Sequence, residues 1–264
     1  MPVIQGLGWT FDTVASTYEK LRPGYVEELY RTLFAYIPTD ECSRVVEVGS
    51  GGGQATAPVL QTGCQMTAVE CGERFSELLK EKFRAVPKFS VITKRFEETE
   101  WKDESVDLVF SASAFHWVPE KAGYEKVFAM LKKGGAFARF ANHPFRDKGN
   151  PALSEEIDEL YHAYYDRFHQ RKRETPREYT EKDARERALI AGKYGFSDLR
   201  YHLFYRQRVF SASEYLQLLG TYSDHIVIEE SIRKPFFEAI AEAINRHGGT
   251  ITLYDTIDLQ LARK

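Results

Sequence analysis

The sequence predicts an α/β chain built on a doubly wound, mostly parallel sheet. Three observations carry that prediction. Short apolar runs alternate with helical segments at roughly 20–30 residue intervals from Arg44 to Phe140, the rhythm of strands joined by crossover helices. The first run, Arg44-Val45-Val46-Glu47-Val48, stops at Gly49-Ser50-Gly51-Gly52-Gly53, as a strand buried on both faces of a parallel sheet does when it turns toward a ligand. Two further runs follow after residue 195, which brings the expected strand count to seven.

Taken in order, Phe11, Val14, Ala15 and Tyr18 have helical spacing. Arg22-Pro23-Gly24 breaks that helix, and Pro23 is placed to open a second, about Tyr25 to Phe34, which Pro38 ends. After the first strand, Gln54 to Gln61 reads as a helix start and Thr67 to Glu70 as a second strand. Glu73 to Val86 is a helix, with Phe75, Leu78, Leu79 and Phe83 in phase. Phe89 to Thr93, Val106 to Phe110 and Ala136 to Phe140 are the next three strands, with a helix at Glu120 to Leu131. Pro151 to Phe168 reads as one long helix, and Gln170 to Arg187 as a charged, solvated run. Leu199 to Phe210 and Thr250 to Leu261 are the last strands, an edge pair joined through helices at about Ala212 to Leu219 and Ile228 to Asn245.

Composition narrows the function. Lys and Arg number 36 against 39 Asp and Glu, a net charge of −3, and hydrophobic residues make up 43%. Such a chain affords a core and lacks the basic excess of a nucleic-acid binder. No apolar run is long enough to span a membrane, and Met1 to Thr10 does not read as a secretory signal. Cys42, Cys64 and Cys71 form no CxxC pair and read as reduced thiols of a cytoplasmic protein. The histidines form no metal-ligand array, so no metal is expected.

The glycine cluster lies where open α/β sheets bind ligands, beyond the carboxyl end of a strand. A P-loop needs Lys-Ser/Thr after its last glycine, but Gln54-Ala55 stands there. A G-x-G-x-x-G dinucleotide fingerprint beginning at Gly49 requires a glycine where Gln54 is. The pattern that fits is E-x-G-x-G-x-G, at Glu47, Gly49, Gly51 and Gly53.

That pattern resembles motif I of the class I S-adenosylmethionine-dependent methyltransferases. Glu70, Phe96-Glu97, Val106 to Ser111 and Leu131-Lys132-Lys133-Gly134-Gly135 match further family features in the family's order. Phe11-Asp12, Ala15, Tyr18, Arg22-Pro23, Tyr25 and Ala114-Phe115-His116-Trp117 are similar to the type 11 group, which includes trans-aconitate methyltransferases. The resemblance is strong over residues 11 to 140 and implies a Rossmann-like sheet with helical insertions forming a lid. It implies S-adenosylmethionine as cofactor and a small-molecule acceptor, with no nucleic acid or membrane partner, in a monomer or homodimer.

The resemblance places the donor against Tyr18, Arg22, Glu47, Gly49, Ser50, Gly51, Gly53, Glu70, Cys71, Phe96, Glu97, Ser111 and Ala112. Glu70 would accept bonds from the ribose hydroxyls, as acids do in dinucleotide sites. Glu47 would favour the donor's ammonium, directly or through a water. For Phe96 the rival is core packing, for Glu97 a solvated acidic edge, and for Arg22 an ordinary surface arginine. His116 is the candidate catalytic residue, with a structural cap as its rival, and Trp117 reads as structural. A hydroxyl or amine acceptor would want a base, His116 or His143, whereas a carboxylate would want only cationic clamps such as Arg139 or Arg206.

The expected organisation is one catalytic domain, 1–264. It has a helical cap at 1–36, a donor core at 37–140, insertions at 141–195 and 211–247, and edge strands at 196–210 and 248–264. A donor-binding regulatory protein without methyl transfer is the alternative.

Overall fold

A computed structural model describes residues 21–174 and 176–264, so Tyr18 and the first expected helix lie outside the described residues. Helix α1 (Glu27–Tyr36) is followed by β1 (Arg44–Val48), α2 (Thr56–Leu60), β2 (Gln65–Glu70), α3 (Glu73–Lys82) and β3 (Phe89–Thr93). Next come β4 (Val106–Ala112), α4 (Glu120–Met130) and β5 (Leu131–Arg146). The remainder is α5 (Pro151–Leu160), α6 (Glu181–Leu189), β6 (Ser197–Ser211), α7 (Ala212–Leu219), α8 (Ser223–Ile226), α9 (Glu230–Arg246) and β7 (Thr250–Arg263).

The seven strands form one sheet in the order β3-β2-β1-β4-β5-β7-β6. Strands β1 to β5 pair in parallel, and β7 runs antiparallel to both β5 and β6. Alternate side chains divide between two cores, because successive strand residues point to opposite faces. Val45, Leu108, Phe110 and Phe140 pack with Leu29 and Leu33 of α1. Val46, Val48, Val109 and Phe137 pack with Tyr124 and Val127 of α4. A third cluster, with Leu153, Tyr161, Phe236 and Ile240, holds the helices outside the sheet together.

The structure departs from the expected elements at several points, among them an added helix α8 and a third helix that ends at Lys82. The expected fifth strand continues from Phe140 to Arg146, because β7 pairs with it through Arg146↔Leu253. The long helix begins as expected, with Pro151 in its first turn and Asn150 accepting the Leu153 N–H at 3.1 Å. At Tyr161–Asp166 it widens into a π-helical turn. The charged run ends in α6, which a Thr180–Asp183 capping box opens and whose Ala184 and Ala188 are buried.

Candidate active site

The carboxyl ends of β1, β2 and β4 meet around the glycine loop. The Gly49 N–H donates to the Val69 carbonyl at 2.8 Å, carrying the ladder one residue past β1. Gly49 has φ +72°, and a Cβ there would lie 2.3 Å from the Ala114 Cβ, so only glycine lets the two loops touch. Ser111, buried in β4, donates its hydroxyl to the Val48 carbonyl at 2.7 Å and ties the two strand ends together. Ala112, half-buried, closes β4.

Glu70 ends β2 and is buried. Its two carboxylate oxygens accept the Gly51 N–H at 2.8 Å and the Gly72 N–H at 2.9 Å. Burial raises its pKa despite those bonds. Cys71, beside it, is exposed.

Glu47 is fully buried, and Thr56 donates its hydroxyl to one Glu47 oxygen at 2.5 Å. Its other oxygen, like the buried Ser50 hydroxyl, has no hydrogen-bond partner among the described residues. Burial raises the carboxyl from 4.5 to about 7, so it is protonated more readily in the folded than in the unfolded chain. Its stabilising effect is therefore full below pH 4.5 and lost as pH rises through about 7. In donor-free enzyme, Glu47→Gln is expected to flatten that decline, worth at most about 3 kcal/mol, in urea melts across this pH range. An unchanged slope would put the titration elsewhere.

Phe96 begins the short turn after β3, and core packing is the rival to its adenine role. Its ring is buried in the α4-side core with Phe115 and Lys126 beside it, so core packing takes the side chain. Glu97 is half-buried. Sequence reasoning missed Lys126, whose ammonium donates to the carbonyls of Phe96, Glu97 and Thr99 at 3.1, 2.7 and 2.5 Å and fixes that segment. A lysine on an amphipathic helix carries no local sign of such a role.

Arg22 donates to the Thr221 hydroxyl and carbonyl, both at 3.0 Å, and lies 4.0 Å over the Tyr222 ring. It joins the segment before α1 to the turn between α7 and α8. Arg206 binds Asp255 at 3.0 Å and the Gly24 carbonyl at 3.0 Å. Arg139 is buried, donates to the Tyr124 hydroxyl and lies 5.0 Å from the Phe115 ring. Neither expected carboxylate clamp is thus an open cation.

His116 follows β4 in a short 3-10 turn, Phe115–Trp117, and makes no hydrogen bond among the described residues. Its outer surface is exposed. Crowding by protein, then the charges of Arg187 and Arg139, pushes its pKa down to about 4. His143 has what His116 lacks, a buried carboxylate: its Nε2 lies 3.1 Å from Asp258. Asp258, Tyr179 and Arg187 escaped the sequence reading. Among the described residues no group of three or more His, Cys, Asp or Glu could hold a metal, and no helix is long and apolar enough to cross a membrane.

Residues 46–138, from β1 to β5, match the type 11 family model described as a methyltransferase domain. The chain carries a methyltransferase domain. It is a methyltransferase. An uncharacterised methyltransferase of Schizosaccharomyces pombe is 27% identical to it over 227 residues, 85% of this chain and 83% of that protein. The trans-aconitate 2-methyltransferase of Azoarcus sp. is 25% identical over 236 residues, 85% of this chain and 81% of that enzyme. A structure provisionally described as a type II methyltransferase, from Anaeromyxobacter dehalogenans, matches with a TM-score of 0.63 at 21% identity. That match covers 92% of this methyltransferase and 97% of its counterpart, and it speaks for the shared fold.

Proposed function

We propose that this methyltransferase moves a methyl group by in-line displacement to an O, N or C nucleophile of a small molecule, carboxylates included. One observation carries the reading: Glu70 stands at the end of β2, with the loops after β1 and β2 both closed onto its carboxylate. When bound, S-adenosylmethionine supplies a methyl on a positively charged sulfur. The chain's own task is to position it and exclude water.

The residues fit that donor. One Glu47 oxygen and the Ser50 hydroxyl are buried without a partner among the described residues, which suits an ammonium. Glu70 suits ribose hydroxyls. Gly49, Gly51 and Gly53 keep the loop close, and Ser111 and Ala112 offer backbone at the end of β4. Cys71 and Glu97 flank the adenosine side. Tyr18 and Arg22 belong to a cap over the donor, and the Arg22 bond to Thr221 supports that role for Arg22. His116 borders the acceptor. The single-domain organisation, with 37–140 as donor core, follows from the same assignment. The free cysteines and modest charge fit a cytoplasmic enzyme working as a monomer or homodimer without nucleic acid or membrane.

Glu70→Ala is expected to weaken binding of S-adenosylhomocysteine, the demethylated donor, by about 1–3 kcal/mol in calorimetry, through lost charged hydrogen bonds. Unchanged affinity would show that ribose binds elsewhere. Release of labelled methyl onto an acceptor separates the enzyme from a binding-only protein.

A further inference from the structure

The two edges of the sheet differ. β3 is five residues long, and Pro87, Lys88 and Lys94 flank it. Short edges bounded by lysine and proline resist pairing with another chain. β6 is fifteen residues long and contains neither lysine nor proline. One side of it pairs with β7. Toward the other side, its backbone from Leu199 to Phe210 makes no hydrogen bond among the described residues. Its arginines are already paired within the chain, Arg200 with Asp198 at 3.0 Å, and Arg206 and Arg208 with Asp255 at 3.0 and 2.6 Å. Tyr205 is 72% exposed and Val209 64%, and they share one face of the strand with Gln207, also exposed, between them. Among the described residues the one other large apolar side chain so exposed is Leu189, at the end of α6, which packs against β6.

That spacing is self-complementary. When a strand pairs with its own copy across a two-fold axis, residue i faces residue j and j faces i. An axis through Gln207 sets Tyr205 opposite the partner subunit's Val209, and Val209 opposite the partner subunit's Tyr205. It is the one axis on the strand that maps this exposed pair onto itself, and aromatic against β-branched is a favourable cross-strand pair. Gln207 meets its own copy, and two amides can hydrogen-bond. On the other face Phe204 meets the partner subunit's Phe210, and Arg206 meets the partner subunit's Arg208, each held by the Asp255 of its own chain. Leu203 to Ser211 of both strands overlap in this register. About nine paired residues supply close to the roughly ten hydrogen bonds of an ordinary interface. Past the overlap, Arg200 and His202 run beside the start of the partner subunit's α7, whose first turn carries Glu214, so basic groups approach an acid.

We propose that β6 is a homodimer interface, at which two copies of the chain pair antiparallel about Gln207 and join their sheets into one. Pairing satisfies the open strand edge and covers Tyr205 and Val209 with each other. Tyr205 and Gln207 also line a groove of about 370 Å³, together with Phe145, Tyr179 and Tyr254. The partner subunit's Val209 thereby becomes part of the rim of that groove.

The test uses the full chain in sedimentation velocity at micromolar concentration, where the wild type is expected to run as a dimer. Val209→Lys places a charge on the exposed edge and is expected to weaken the dimer by about tenfold or more, with the circular dichroism spectrum of the folded chain unchanged. Cross-linking then tests the axis. Directly opposite residues have Cα atoms about 4.5–5.5 Å apart, within disulfide reach. Under mild oxidation Gln207→Cys is expected to join position 207 of one copy to position 207 of the other. Peptide mass spectrometry separates that link from any through the exposed Cys42 and Cys71. Tyr205→Cys is expected not to link to itself, because its two copies stand about 13 Å apart along the strands. A monomeric wild type overturns the proposal, and so does a dimer untouched by Val209→Lys. A link between the two 205 positions with none between the two 207 positions overturns the axis.

Discussion

Asp258→Ala is expected to destabilise the protein by about 3–5 kcal/mol near neutral pH, the typical cost of removing one partner of a buried ion pair. Asp258 is the one acid in a knot that includes Arg187, His143, Tyr179 and Gln260. Burial by itself would raise its pKa, but the hydrogen bond from His143 and the charge of Arg187 outweigh burial and hold it below the usual value of 3.8. A depressed carboxyl stabilises the fold above its unfolded pKa, and that stability is lost as pH falls through the folded pKa. Wild type should therefore lose its advantage over Asp258→Ala in acid, and urea melts at several pH values would show the two curves converging. Parallel curves would mean that the knot contributes shape and not charge. Asp258→Asn keeps most of the hydrogen-bonding atoms and should fall between the two.

Gly49→Ala is the second large effect. Positive φ costs a side chain about 1–2 kcal/mol, and forcing a methyl into a packed contact adds about 1–3 kcal/mol. The contact is specific, since the new Cβ would meet Ala114 at 2.3 Å. The loop after β1 and the loop after β4 must then separate, which should lower both the melting temperature and the affinity for S-adenosylhomocysteine. Ala114→Gly in the same chain removes the clash and leaves the strain, so the double variant should recover about 1–3 kcal/mol. A double variant no better than Gly49→Ala would show that backbone strain is the whole effect.

Both predictions rest on contacts of different legibility. The Val45-Val46-Glu47-Val48 run followed by glycine announces a buried strand and a close-approach loop, because period, β-branching and glycine spacing are local. Glu70 is legible for the same reason, as the polar end of a short apolar strand. Phe96 was not, since a phenylalanine after a strand has the same local pattern whether it faces a ligand or the α4-side core. Arg187 reads as one charge among many in 170–187, yet α6 turns it inward onto Asp258. His116 and His143 are both histidines at the donor end of the sheet, and nothing near either in sequence says which has a carboxylate.

The sequence by itself determined the doubly wound sheet and the placing of the glycine loop on it. Each of these depends on a period or spacing within about twenty residues, which the chain states outright. The tertiary structure alone decided the surroundings of His143. Its partners Asp258, Tyr179 and Arg187 come from β7, the segment before α6, and α6 itself. The bonds to Asp258 from His143, Tyr179 and Arg187 span 115, 79 and 71 residues. Contacts of that reach depend on how β5 and β7 register against each other and on where α6 packs across them. Both follow from burial of whole strand and helix faces, which no short stretch of sequence encodes.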